Sequence, residues 1–178
     1  MKLSFGLILT LVSSTFGCPG TGWIIGDEYS CYLMSPGQMN WISASEVCNF
    51  WPQKVAGLIF NDVILQYCLQ RGGYLAEITS QEETDLLNGI IPDELHHWIG
   101  LHDIGTPGHF YWQYSKQPVI YSNWGRTQAV VEPYPFNTCV NLGDVWNQFG
   151  HQWYATDSGC GAMKHALCEA DNFSMKLK

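Results

Sequence analysis

Residues Glu132 to Glu169 read EPYPFNTCVNLGDVWNQFGHQWYATDSGCGAMKHALCE and hold three of the seven cysteines, Cys139, Cys160 and Cys168. Trp146 and Trp153 lie between them, and oxygen side chains cluster just before Cys139 and Cys160. Dense cysteine beside polar residues of hard-ligand type predicts a stapled loop region. Crosslinks there would substitute for missing core, and side-chain oxygens would suit a hard cation. The rest of the chain reads as a frame for that region.

Outward from it, the chain begins with an export signal. Lys2 precedes a mostly apolar run from Leu3 to Val12, and Thr15-Phe16-Gly17 supplies small residues at cleavage positions. That run falls short of the roughly 20 residues a membrane span needs. Residues 1–17 are therefore read as a signal peptide, and a secreted, extracellular chain begins at Cys18 with no transmembrane segment. The net charge of -8 argues against nucleic acid and anionic membrane partners, both of which select basic patches. In an exported chain the cysteines imply disulfides with one left over, and the sequence alone leaves the pairing open. Close C-x-x-C or H-x-x-x-H pairs that would indicate zinc are absent. His96, His97, His102 and His109 are expected at surfaces or interfaces.

Short segments follow in order. Gly-rich Cys18–Cys31 suggests a small hairpin, and Ser43–Phe50 a helix. Gly72-Gly73 precedes an alternating strand at Tyr74–Ile78. Ser80-Gln81-Glu82-Glu83 is a capping box, opening a helix that buries Leu86, Leu87 and Ile90 until Pro92. Trp98–Leu101, Phe110–Trp112, Cys139–Leu142 and Ala166–Glu169 read as strands. Asn123–Asn137, with Pro133 and Pro135, reads as a long loop of the kind that carries function. Asn172-Phe173-Ser174 is a glycosylation sequon placed in an exposed tail, residues 172–178.

These residues resemble the C-type lectin-like domain over residues 18–171. The ordered matches include Cys18-x-x-x-x-Trp23, Cys31-Tyr32, Ala44-x-x-x-Cys48 and Gly73-Tyr74-Leu75-Ala76-Glu77-Ile78. Trp98-Ile99-Gly100-Leu101, Phe110-x-Trp112, Ser122-Asn123-Trp124, Cys139-Val140 and Cys160 through Cys168-Glu169 complete them. The resemblance implies an α+β fold with two helices, small antiparallel sheets and a long ligand-binding loop. It implies the pairings Cys18–Cys31, Cys48–Cys168 and Cys139–Cys160, which leaves Cys68 unpaired.

It further implies a calcium ion on the long loop, shared with sugar hydroxyls and held by hard oxygens. Carried over by position, Glu132-Pro133-Tyr134 stands where the family has a Glu-Pro-Asn type triplet. Asn137 falls two before Cys139, and Thr156-Asp157 stands where an amide and a carboxylate are usual. The ligand-binding set is thus Glu132, Pro133, Tyr134, Asn137, Thr156 and Asp157, with Glu132, Asn137 and Asp157 as metal ligands. The site is degenerate: Tyr134 is a poor calcium ligand, and two carboxylates stand where three are usual. Asp144 and Asn147 could supply replacement oxygens, and Tyr134, Trp146 or Trp153 could stack on a sugar face.

Two functions follow. One is glycan recognition, mannose-type by analogy with Glu132, calcium-assisted, in innate defence or at cell surfaces. The alternative is a calcium-independent module with a protein ligand. No catalytic motif is visible, so an enzyme is not expected. Residues 52–71 interrupt the resemblance. They read either as an added apolar element whose Cys68 links a second chain, or, preferred here, as a translated intron. Val codons begin with GT and one Gln codon is CAG, so Val55–Gln70 could be such a segment.

Overall fold

The computed structural model describes residues 17–44, 67–125, 138–143, 150–156 and 159–172. The export segment up to residue 16, Cys48, residues 52–66 of the insert and residues 173–178 lie outside them. Strands β1 (Ile24–Ile25) and β2 (Ser30–Met34) form the first hairpin, in register Ile24↔Tyr32 and Ile25↔Cys31. Its turn is set by Asp27, whose Oδ1 accepts the backbone N–H groups of Tyr29 and Ser30 at 2.7 Å each. This is an aspartate closing a turn that backbone carbonyls leave open. The Cys18–Cys31 bridge pins the same hairpin, as the resemblance implied.

Helix α1 occupies Trp41–Ala44 and α2 Gln81–Ile90. The second begins where the capping box predicts: Ser80 accepts the Glu83 N–H at 3.1 Å. The return arm is shifted by one residue, since the Glu83 carboxylate accepts from Thr79 rather than from Ser80. Its other oxygen accepts the Tyr32 hydroxyl at 2.7 Å, which fastens α2 to β2. Leu87 is fully buried, Leu86 and Ile90 pack half-buried against the core, and Thr84 is buried as well.

Strands β3 (Tyr74–Leu75), β4 (His97–His102), β5 (Tyr111–Trp112), β6 (Cys139–Gly143), β7 (Gln152–Ala155) and β8 (His165–Asp171) complete the sheet. The strand order is β1-β2-β8-β4-β6-β7, with β3 on β8 and β5 on β4. Pairing is antiparallel except between β4 and β8, which run parallel at His97↔His165 and Trp98↔Ala166. That contact joins the part built from the chain ends to the part that carries the long loop. Two indole N–H groups lock it from α1's side. Trp41 donates to the Ile99 carbonyl and Trp98 to the Met39 carbonyl, both at 2.8 Å.

The structure corrects one expected crosslink. Cys168 pairs with Cys68, at a Cα–Cα distance of 5.3 Å, and Cys139 pairs with Cys160. The Cys48–Cys168 pairing is therefore displaced, and Cys68 is not the unpaired cysteine. The reason is local. Cys68 precedes a 3-10 turn, Leu69–Arg71, which Gly72 closes in the left-handed conformation at φ 84°. Gly73 then donates to the Cys68 carbonyl at 3.0 Å. A Cβ on Gly73 would stand 2.4 Å from the Glu169 carbonyl, so only glycine lets the turn press against β8. The sequence Cys68-Leu-Gln-Arg-Gly-Gly73 thus delivers its own sulfur to Cys168. The last residues of the 52–71 insert belong to the fold, and an excision of Val55–Gln70 would remove a core bridge.

We propose different bounds for the removable segment: residues 47–66. Joining Glu46 to Tyr67 puts Cys68 four residues after Ala44, the spacing that Cys48 has in the full chain, and leaves six cysteines. Val47 and Gln66 also satisfy the GT and CAG condition. A chain lacking 47–66 is expected to fold with all three bridges, checked by non-reducing peptide mapping. Cys48→Ser is expected to leave thermal stability unchanged. Cys68→Ser, which opens a loop with a sequence separation of 100, should lower stability by about 4 to 5 kcal/mol.

Candidate ligand-binding site

Both ends of the long loop are fastened through backbone groups. At its start, Trp153 N–H donates to the Asn123 carbonyl at 2.8 Å, and Gly125 N–H donates to the Trp153 carbonyl at 3.0 Å. The Asn123 side chain donates to the His151 carbonyl at 2.9 Å. Gly125 lies flat against the Tyr154 ring, where a Cβ would approach within 2.4 Å. At the loop's end, buried Asp103 receives the Thr138 N–H on Oδ1 at 2.5 Å and the Gly108 N–H on Oδ2 at 2.8 Å. Its own N–H donates back to the Thr138 carbonyl at 3.1 Å. The two anchors stand on β7 and at the end of β4, held in one sheet by β6.

Of the sequence-predicted site residues, Glu132, Pro133, Tyr134, Asn137 and Asp157 lie outside the described residues, as do Asp144, Trp146 and Asn147. Thr156 is placed, one residue beyond β7. Its N–H donates to the Cys139 carbonyl at 3.2 Å and its carbonyl accepts from Gly159 at 2.8 Å. Its hydroxyl donates to Asn141 Oδ1 at 3.1 Å, and the Asn141 amide donates to His96 Nδ1 at 2.9 Å. Asn141 is buried on β6 and escaped the sequence reading, because only strand pairing brings it under Thr156.

Calcium can be tested against these donors. Thr156 offers one neutral oxygen whose proton is committed to Asn141, and both Asp103 oxygens are occupied by backbone N–H groups. Among the described residues there is no group of three or more His, Cys, Asp or Glu able to hold a metal. The described residues alone therefore do not fit a calcium site.

Three expectations are revised by burial. Trp153 is fully buried, with Trp112, Tyr121 and Trp124 edge-on at 5.6, 5.7 and 5.7 Å, so it is core rather than a sugar platform. His97 and His102 are buried on β4, not at a surface. Asn172 is buried too: its side-chain amide donates to the Asp27 carbonyl at 3.2 Å, so the sequon's acceptor nitrogen is engaged rather than hanging in a tail.

Burial disfavours the cationic form of His96, His97 and His102. Neither ring nitrogen of His97 has a hydrogen-bond partner among the described residues. Burial, with His165 and His151 nearby, pushes it down to about 4. His102 is also brought down to about 4 by burial, against the pull of its 2.6 Å hydrogen bond to Gln113. The Ile104 N–H donates to His102 Nδ1, which puts the ring proton on Nε2. His96 is lowered by burial, Lys164 and His151. Glu169 moves the other way: burial and the neighbouring Glu83 raise it to about 8.

The described residues form one α+β body in which β2 pairs with β8 and the chain at Gly125 and Thr138 is tied to the sheet. The chain belongs to the C-type lectin domain family, whose family model (lectin C-type domain) matches residues 61–170. That match includes Cys68 and the Gly72-Gly73 turn. The chain is 28% identical over 144 residues to a perlucin-like protein of Mytilus galloprovincialis, spanning 76% of this chain and 72% of the relative. It is 28% identical over 167 residues to lectin BRA-3 of Megabalanus rosa, spanning 92% and 86%. In fold it is similar to the mouse scavenger receptor C-type lectin carbohydrate-recognition domain. There the TM-score is 0.63 at 22% identity, over 88% of this chain and 99% of the other. Membership agrees with the reading of the chain as a non-enzyme.

The buried titratable groups fix a pH profile. His97 and His102 take up protons only in the unfolded chain between pH 6.5 and about 4, so their contribution is full above 6.5 and is lost as pH falls through about 4. Glu169 stays protonated in the fold, so its contribution is full below 4.5 and is lost as pH rises through about 8. His96 adds to the histidine side and Glu83, raised by burial, to the carboxyl side, so stability rises from pH 4.5 to 6.5, then falls toward 8. Each group has a limiting slope of about 1.4 kcal/mol per pH unit. Denaturant melts across this range should show that maximum. His97→Phe should flatten the acid limb, and Glu169→Gln the alkaline one.

Proposed function

We propose that this chain is an extracellular carbohydrate-recognition domain that takes glycan on the loop between Gly125 and Thr138. The observation that carries the reading is the double anchorage of that loop to β7 and Asp103. A loop held at both ends loses less conformational freedom on binding a small polar ligand. Its relatives point the same way, since two carry lectin or carbohydrate recognition in their names. Three disulfides support an oxidising compartment, and among the described residues no helix is long and apolar enough to cross a membrane.

In this reading Glu132 and Asp157, with Asn137, hold a weakly bound calcium ion, and Glu132 favours mannose-type hydroxyls. Thr156 takes the place of an amide, its hydroxyl oriented through Asn141. The second reading is a calcium-independent module with a protein ligand. Tyr134 favours it, because a phenol replaces the amide expected beside Pro133.

A glycan array in millimolar calcium should show mannose-terminated ligands. Chelation or Glu132→Gln should weaken them at least tenfold. Glycan binding that survives chelation would keep the lectin and remove the ion. No glycan bound under any condition, together with no heat on calcium titration, would replace this reading with the protein-ligand one.

A further inference from the structure

A groove of about 600 Å³ opens beside the start of the long loop, on the β5 side of the domain. Phe110, Tyr111 and Trp124 wall it, and His109, Lys116 and Ser122 stand at its rim. The aromatic wall is rigid. Phe110 and Trp124 meet edge-on at 5.1 Å, and Trp124 is bridged through its backbone to buried Trp153. Both wall rings are only half-buried, so they keep part of their surface open to solvent.

Two polar groups of the groove, on Lys116 and Trp124, can only donate, while those on His109 and Ser122 can donate or accept. The Lys116 ammonium, the His109 ring, the Ser122 hydroxyl and the Trp124 indole N–H have no hydrogen-bond or ion-pair partner among the described residues. Among the described residues no aspartate or glutamate lines the groove, in a chain whose net charge is -8. The Tyr111 hydroxyl is spent on the Ile104 carbonyl at 2.7 Å.

Lys116 carries a second signal. Its backbone sits at φ 60°, and it is the one non-glycine residue in the left-handed region among those described. Its N–H is tied to the Trp112 carbonyl at 3.1 Å. Glycine would take that turn without strain, so the position carries a cation at a local backbone cost.

A cation on a backbone-anchored turn, an indole N–H and flat apolar faces select a ligand with acceptor oxygens, negatively charged, with a C–H face to stack. The volume suits one or two sugar rings. We propose that this groove is a calcium-independent subsite for an acidic saccharide, its carboxylate or sulfate at Lys116 and a sugar face against Phe110 and Trp124. It stands apart from the long-loop reading, because it uses none of Glu132, Asn137 or Asp157 and no metal.

The test titrates a hyaluronan tetrasaccharide, a chondroitin sulfate tetrasaccharide and neutral maltotetraose into the full secreted chain in EDTA. Calorimetry and the Trp124 indole N–H resonance are followed together. At least one acidic probe is expected to bind and shift that resonance, while maltotetraose does neither. Binding of both acidic probes assigns the carboxylate as sufficient, and binding of chondroitin sulfate alone assigns the sulfate. Lys116→Gln should weaken binding at least tenfold and Lys116→Arg should retain it. Lys116→Gly should abolish binding while leaving the fold equally or more stable, a split that a merely structural lysine would not give. The proposal is overturned if neither acidic probe binds, if Lys116→Gln binds as tightly as the parent, or if Glu132→Gln abolishes binding. Failure here leaves the calcium-dependent glycan array untouched, and failure of the array leaves this titration untouched.

Discussion

The covalent tie between Cys68 and Cys168 is what the remaining contacts presuppose. Cys168 lies in β8, which pairs with β2, β3 and β4. The sulfur opposite is delivered by a turn that only Gly72 and Gly73 permit. With that turn in place, Trp41 and Cys68 share one apolar cluster with Leu33, Leu75 and Trp98. The parallel pairing of β8 with β4 then carries the same order across to the strands that bear the loop. Cys139–Cys160 repeats the device on a smaller scale at the loop's far side.

Much of this was legible in the residues. The Ser80 cap, the strand at Trp98–Leu101 and the hairpin near Cys31 announce themselves by local chemistry, and the structure places them where the patterns indicate. The core crosslink was not legible, because two cysteines compete for one role. Cys48 has the right spacing from Ala44, whereas Cys68 has the right approach to Gly72-Gly73. Linear spacing cannot weigh one against the other; the backbone turn decides it.

Other misreadings share a cause. His97 and His102 stand on a strand whose six residues are all buried, with β8 and β6 on its two edges, so polar character gave no hint of solvent. Trp153 sits in a stretch that reads as loop, yet it pairs with Leu142 and fills the centre of a ring cluster. Asp103 and Asn141 were silent for the opposite reason. Each acts on a residue brought near by strand pairing: Thr138 is 35 positions from Asp103, and His96 is 45 from Asn141.

At Gly125 and Thr138 the clamps engage the chain through its peptide groups, with the Asp103 carboxylate and the Asn123 amide acting from the frame. Asn123, Trp153, Gly125 and Thr138 engage through N–H and C=O, which every residue but proline supplies in full. Such ties are indifferent to what the enclosed stretch spells. The frame therefore fixes the backbone at Gly125 and Thr138 without reading a side chain at either position. Inheritance of the frame asks only for a peptide group at each of these two places, not for a particular side chain there.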